Sequence, residues 1–177
     1  MDSQASKHLE WCVKKAEREI EECKKQNKKI RHRGLLKIEP SRKRALEHIE
    51  KASHLLKAFQ LLKKEGFSDL AMGLGFYSIY HCLLSIASKF GYESRNQTCT
   101  VALIEHLKEE GKLKIKEEII ELMKYDEENN HESIIELRES YTYGIDLEVK
   151  SEEQINKMEE LCIEFIAETK EIIYERT

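Results

Sequence analysis

The stretch Phe76-Tyr77-Ser78-Ile79-Tyr80-His81 lies in a segment, residues 68 to 90, that is apolar around most of a helical circumference. Its apolar residues, among them Leu70, Leu74 and Tyr77, cannot all share one narrow stripe. A helix of this kind must be covered by neighbours on several sides. The segment therefore predicts the central helix of a helical bundle, ended by Gly91 in front of a short polar loop.

The composition of the whole chain also favours helix. The 177 residues include one proline and seven glycines, and 36% of them are charged. Few helix breakers together with abundant Glu, Lys, Leu and Ile are typical of an all-α protein. The length fits one domain overall, with an N-terminal helix and basic linker in residues 1–40 and a helical bundle in residues 41–177.

Periodicity and capping signals predict five or six helices. The first runs from about Gln4 to Ile30, and a connector over residues 31–40 follows it. The second begins after Pro40 and is ended by Gly66. Further helices are predicted over residues 68–90, 100–110 and 115–124, a polar loop over 126–132, and a last helix from Ser151.

Small or polar residues form one row along the central helix: Gly75, Ser78, Cys82, Ser85 and Lys89. Such a row allows another helix to approach closely. Two interpretations remain open, a groove floor or dimer seam and ordinary tight packing, and tight packing is favoured because it is the commoner use of small residues.

The five cysteines, at positions 12, 23, 82, 99 and 162, include no Cys-x-x-Cys pair. This odd, scattered set predicts reduced thiols in the cytoplasm. The chain has no run of about 18 apolar residues and begins without a signal-peptide core, so no membrane association is expected.

Charge is divided unevenly along the chain. Residues 1–66 hold 18 Lys and Arg against 10 Asp and Glu, whereas residues 67–177 hold 12 against 24. The basic excess is greatest between Lys24 and Arg44. Such a surface either holds phosphates or faces the acidic half of the chain. The basic patch comprises Lys24, Lys25, Lys28, Lys29, Arg31 and Arg33.

Several short blocks, in order, resemble the HEPN domain family (higher eukaryotes and prokaryotes nucleotide-binding). Phe76 to His81 is similar to its Tyr-Tyr-Ala-Met-Tyr/Phe-His block, and Gly91 to Ser94 with Thr98-Cys99 is similar to its Gly-Tyr…His-Thr-Cys loop. Residues 45–62, 66–71 and 138–153 resemble the helix and loop regions around these blocks. The resemblance spans about residues 44–173 and is strongest to prokaryotic and archaeal members with an N-terminal helical extension.

The resemblance implies an up-and-down bundle of four to five helices with an extra long N-terminal helix, often as a homodimer. It also implies a small nucleotidyltransferase as partner in a toxin–antitoxin or defence-like system. Many members are metal-independent ribonucleases with an Arg-x4-6-His motif. Here Arg138 matches the arginine, but no histidine follows within six residues, and Gln97 stands where relatives often carry histidine.

The resulting candidates for nucleotide or phosphate binding are Arg138, Tyr141, Tyr143, His81 and Arg95. Arginine suits phosphate because its planar fork donates two hydrogen bonds. His81, Tyr77 and Tyr80 are open to a structural interpretation as core residues. No metal site and no cofactor are expected.

Two functional hypotheses follow. The first is a HEPN-type nucleotide- or RNA-binding protein without the standard ribonuclease residues. The second is a helical dimerisation or scaffold protein that binds a protein partner through its first helix and basic linker. Metal-independent ribonuclease activity is a further alternative, so enzymatic activity is left undecided.

Overall fold

The computed structural model describes residues 3 to 124 and 133 to 175, and over these residues it confirms the all-α helical bundle. The predicted polar loop over residues 126–132 lies outside the described residues. The elements in chain order are α1 (Gln4–Lys25), β1 (Leu35–Lys37), α2 (Arg42–Lys64), α3 (Ser68–Lys89), β2 (Tyr92–Ser94), α4 (Gln97–Glu109), α5 (Glu117–Leu122), α6 (Ile134–Tyr143) and α7 (Glu152–Tyr174).

Helix α3 occupies the centre of the bundle, in contact with α2, α4, α6 and α7. Phe76, Ile79 and Leu83 are almost completely buried on it. Leu70 and Tyr77 are half exposed, so the interpretation of Tyr77 as a core residue is wrong. These two residues are seven apart and therefore share one helical face, and that face is open to solvent.

The row of small residues on α3 is packed against neighbouring helices. Ser78 Oγ donates to the carbonyl oxygen of Ala52 at 2.9 Å, and Ser85 Oγ donates to that of Ala45 at 2.7 Å, both on α2. A Cβ atom at Gly75 would lie 2.6 Å from Cγ of Met158 on α7. The interpretation as tight packing is therefore confirmed for this row.

Helix ends follow from local backbone geometry. Helix α1 ends at Lys25 instead of the predicted Ile30, because Asn27 adopts a positive φ of 53° and the Lys28 amide donates to the Cys23 carbonyl at 2.9 Å. Gly66, with φ of 84°, ends α2 as predicted. A separate helix α6 that the sequence did not predict begins at Ile134, and its N-cap residue Ser133 forms a capping box with Glu136.

The connector between α1 and α2 contains a short strand that the sequence did not predict. Strand β1 pairs antiparallel with β2, with Leu36 opposite Glu93. The pairing satisfies backbone groups that a buried linker would otherwise leave without partners. It also fixes the basic linker beside the loop that follows α3.

The prediction of reduced cysteines is wrong for two of the five. Cys12 on α1 and Cys99 on α4 form a disulfide bond, with their Cα atoms 5.7 Å apart. Cys23, Cys82 and Cys162 remain free. Disulfides persist mainly in oxidising surroundings. The cysteines therefore no longer support the expectation that the protein is cytoplasmic.

Among the described residues, α3 is the one helix whose length and mean hydropathy of 1.5 suffice for crossing a membrane. Within its most apolar window, 61% is buried inside the protein. The core helix of a bundle has the same properties, since it must be apolar on several sides.

Candidate functional site

Glu93 on β2 is the centre of a charged cluster. Its carboxylate accepts a hydrogen bond from Nη1 of Arg44 at 3.0 Å and another from Nε of Arg95 at 3.1 Å. Burial acts to raise the pKa of Glu93, but the charge of Arg95, the adjacent ring of His32 and the charge of Arg44 together outweigh it, and the pKa is lowered. Glu93 is therefore an anion that fixes two arginines.

The basic linker lies directly beside this cluster. The Arg95 amide donates to the carbonyl of Gly34 at 3.3 Å. The Arg33 amide in turn donates to the carboxylate of Glu19, which fastens the linker to α1. We call the resulting surface the basic edge. Its residues, all exposed, are Arg31, Arg33, Arg44 and Arg95.

The basic edge keeps most of its hydrogen-bonding capacity. Arg44 and Arg95 are each about half exposed and share one carboxylate. A guanidinium has five N–H donors, so each arginine has several left for a ligand. The ring of His32 is buried on the inner side of the cluster, and its Nε2 lies 3.5 Å from the carboxylate of Glu93.

Next to the basic edge, two imidazoles meet between α2 and α3. Nδ1 of His48 lies 3.0 Å from Nδ1 of His81. Burial and the charge of Arg44 lower the pKa of His48. Burial, His48 and the charge of Lys51 lower the pKa of His81 to about 4. Both rings are therefore neutral at neutral pH.

Arg138 lies in a different environment. Its guanidinium is 4.6 Å from the ring centroid of Phe76, and Nη2 donates to Glu139 at 2.9 Å. The side chain is 18% exposed, and its buried Nε has no hydrogen-bond partner. Phe76 and His81 are five residues apart, or about 140° around α3. Arg138 and His81 therefore lie on different sides of that helix.

The two tyrosine candidates are also separated. Tyr141 is buried, and its hydroxyl accepts from the Lys150 amide at 3.4 Å, whereas Tyr143 is exposed. Within residues 3–124 and 133–175, no hydrogen bond, ion pair or ring contact joins any two of Arg138, Tyr141, Tyr143, His81 and Arg95. The five predicted candidates thus make no direct contact with one another among the described residues.

The basic patch is exposed throughout, but it divides into two parts. Lys24 and Lys25 occupy the last turn of α1, where Lys25 pairs with Glu21 at 2.9 Å. Lys28 and Lys29 lie in the turn that follows. Arg31 and Arg33 lie further along the linker and belong to the basic edge.

Sequence reasoning missed Glu93, Arg44 and His48. Arg44, His48 and Lys51 do carry a signal, since spacings of four and three place them on one face of α2. Arg42 and His48 have the spacing of an Arg-x4-6-His motif, but the Arg42 guanidinium lies over the ring of Tyr174 at 4.8 Å.

The described residues contain no cluster of three or more potential metal ligands. Comparison with protein-family models finds no match to this chain, and comparison with curated proteins finds none either. The function must therefore be argued from the basic edge and the imidazole pair themselves.

Proposed function

We propose that the protein binds RNA or nucleotides through the basic edge, as a HEPN-type component of a toxin–antitoxin or defence-like system. The observation that carries this proposal is the bridging of Arg44 and Arg95 by Glu93, beside the strand-paired linker. One carboxylate holds two arginines in place without neutralising both.

The charge of the rest of the molecule also favours the basic edge as the surface that binds a nucleic acid. Residues 67–177 carry twice as many acidic as basic side chains. A polyanion is repelled by such a surface and attracted to the basic edge. Phosphate contacts of this kind position a nucleic acid without reading its sequence.

The test is fluorescence anisotropy of a labelled single-stranded RNA over a series of salt concentrations. Changing both Arg44 and Arg95 to alanine should weaken binding at least tenfold and reduce the salt slope by between one and two. The matched control changes Lys157 and Lys170, two exposed lysines of α7, to alanine. Equal losses in both double variants would overturn the proposal.

The setting of this activity is part of the proposal. A homodimer and a small nucleotidyltransferase partner are proposed from the family resemblance. Ribonuclease activity is a separate question, because Arg138 is held against Phe76 and Glu139 rather than beside a histidine. Cleavage of RNA by wild type but not by Arg138→Ala would establish it.

A second candidate function, binding of a protein partner, is favoured by an exposed apolar surface. Ile145 and Leu147 are 95% and 79% exposed, and Tyr143 next to them is also exposed. The Val149 amide donates to Ser68 Oγ at 2.8 Å. This hydrogen bond holds the segment between α6 and α7 against the start of α3, near exposed Leu70. Contiguous exposed apolar residues are typical of interaction surfaces.

Light scattering tests whether this surface binds a second copy of the protein. Changing Ile145 and Leu147 to serine should reduce any oligomer to the monomer mass, whereas Ile163→Ser on α7 should not. Identical masses in wild type and both variants would contradict a role of this surface in self-association.

A further inference from the structure

Trp11, the one tryptophan of the sequence, lies on the outer face of α1. Its side chain is 49% exposed, whereas Cys12 and Ala16 on the inner face of the same helix are fully buried. Tryptophan has the largest aromatic ring system of the amino acids, and its π face is a surface on which other flat groups pack. The outer face of α1 therefore offers an aromatic surface to a ligand.

The helical neighbours of Trp11 are basic or neutral. Residues three, four and seven positions away share its face, and these positions hold Gln4, Lys7, His8, Lys14, Lys15 and Arg18. Acidic Glu10 and Glu17 lie about 100° and 120° around the helix from Trp11, and Glu10 pairs with Lys14 at 2.6 Å. We call Trp11 and its six neighbours the α1 row. Its charge is complementary to a polyanion.

The α1 row leads to the basic edge. Arg18, at the end of the row, is exposed and lies about 10 Å along the helix from Trp11. The adjacent residue Glu19 accepts the hydrogen bond from the amide of Arg33, which belongs to the basic edge. Glu22 lies one turn beyond Arg18 on the same face and repels an anion. A bound polyanion therefore passes from the α1 row to the linker rather than further along α1.

The ring of Trp11 already contacts two side chains of the row. Nζ of Lys15 is 5.1 Å from the ring centroid, and the ring of His8 is 6.0 Å away and tilted by 52°. A cation–π contact at an exposed site is worth about two- to fivefold in an equilibrium constant, whereas a base stacked on an aromatic ring is worth about five- to hundredfold. A base can therefore replace the ammonium of Lys15, which then pairs with a phosphate.

The ligand that suits an aromatic ring among cations is a single strand. Its bases have free faces, whereas the bases of a duplex are stacked on one another. An anionic membrane also attracts tryptophan and lysine, but an interfacial helix must insert an apolar face. The apolar side of α1, with Leu9 and Cys12, is buried, and Cys12 is bonded to α4. The structure thus favours a nucleic-acid strand over a membrane.

We propose that Trp11 stacks on an unpaired base of a single-stranded RNA whose phosphates contact the α1 row and the basic edge. The protein then selects single-stranded over double-stranded RNA. This inference rests on the proposed RNA binding at the basic edge. It assigns the selection to Trp11, whereas the basic edge supplies the affinity that both forms of RNA share.

The first experiment uses the fluorescence of Trp11, which reports on the ring directly because the sequence has no other tryptophan. A single-stranded RNA should quench this fluorescence with the same dissociation constant that anisotropy of the labelled RNA gives. The same RNA annealed to its complement should leave most of the fluorescence unchanged. Inorganic polyphosphate, which has charge but no base, should also do so.

The second experiment removes the ring. Trp11→Leu should weaken the binding of single-stranded RNA about five- to hundredfold and leave the affinity for the duplex unchanged. Trp11→Phe, which keeps a ring, should recover part of the loss. The control is Phe67→Leu, which changes an aromatic residue that is 52% exposed at the end of α2 away from Arg44. It should bind both forms of RNA like wild type.

Different outcomes overturn different parts. Equal binding of single-stranded and duplex RNA without quenching overturns the role of Trp11 and leaves the basic edge standing. Binding of neither RNA overturns the proposed function as well. Full affinity of a folded Trp11→Leu variant, checked by circular dichroism, overturns stacking even if wild type is quenched. A blue shift of the fluorescence with anionic vesicles and no response to RNA overturns it in favour of a membrane surface.

Discussion

Reduction of the Cys12–Cys99 disulfide should lower the free energy of unfolding by about 4–5 kcal/mol. The two cysteines are 87 residues apart, and a closed loop of that length removes this much chain entropy from the unfolded state. Both side chains are fully buried between α1 and α4. The bond therefore contributes to the attachment of α1, from which the basic linker leads to β1.

The assay is urea unfolding followed by far-UV circular dichroism, with and without a phosphine reductant. Reductant should shift the midpoint of wild type strongly and should leave the midpoint of a Cys12→Ala/Cys99→Ala variant unchanged. Cys23→Ala, which removes a free thiol, should keep the response of wild type. Unchanged wild-type unfolding on reduction would refute the entropic reasoning.

Thiol counting checks the bond itself. Burial raises the pKa of both Cys82 and Cys162 to about 12, so only Cys23 should react with iodoacetamide in the native protein. Unfolding without reductant should give three modified cysteines, and unfolding with reductant five. Five modified cysteines without reductant would show that the disulfide is absent.

Three further predictions concern α3 and its neighbours. Gly73→Ala should stabilise the protein by about 0.5–1 kcal/mol through helix propensity. The free energy of unfolding of Gly75→Ala should be about 1–3 kcal/mol lower than that of Gly73→Ala, because its Cβ meets Met158. Thermal unfolding measures both variants. Because the pKa of His81 in the folded protein is lowered to about 4, the unfolded state binds more protons than the folded state between pH 6.5 and pH 4. The free energy of unfolding should therefore keep its full value above about pH 6.5 and fall by about 1–2 kcal/mol towards pH 4, after allowance for solvent screening. His81→Phe should flatten this dependence in urea titrations. Arg138→Met should cost about 1 kcal/mol of stability through the lost cation–π contact and leave RNA affinity unchanged; a tenfold loss of affinity would return Arg138 to the binding surface.

The sequence by itself determined the helical class and the course of the central helix. An apolar segment that no single stripe can accommodate has to be surrounded, and α3 is in contact with four other helices. Gly66 and Ser151 marked the end of α2 and the start of α7 correctly. These signals are local, since capping and periodicity involve residues within one or two turns.

Only the tertiary structure decided which distant residues meet. His48 and His81 are 33 residues apart, and Arg44 and Glu93 are 49 apart. No local pattern specifies such pairs, because each contact depends on how α2 packs against α3 and on the register of β1 with β2. The same packing brought Cys12 to Cys99, buried Arg138 against Phe76, and formed the basic edge from residues that the sequence had left in separate segments.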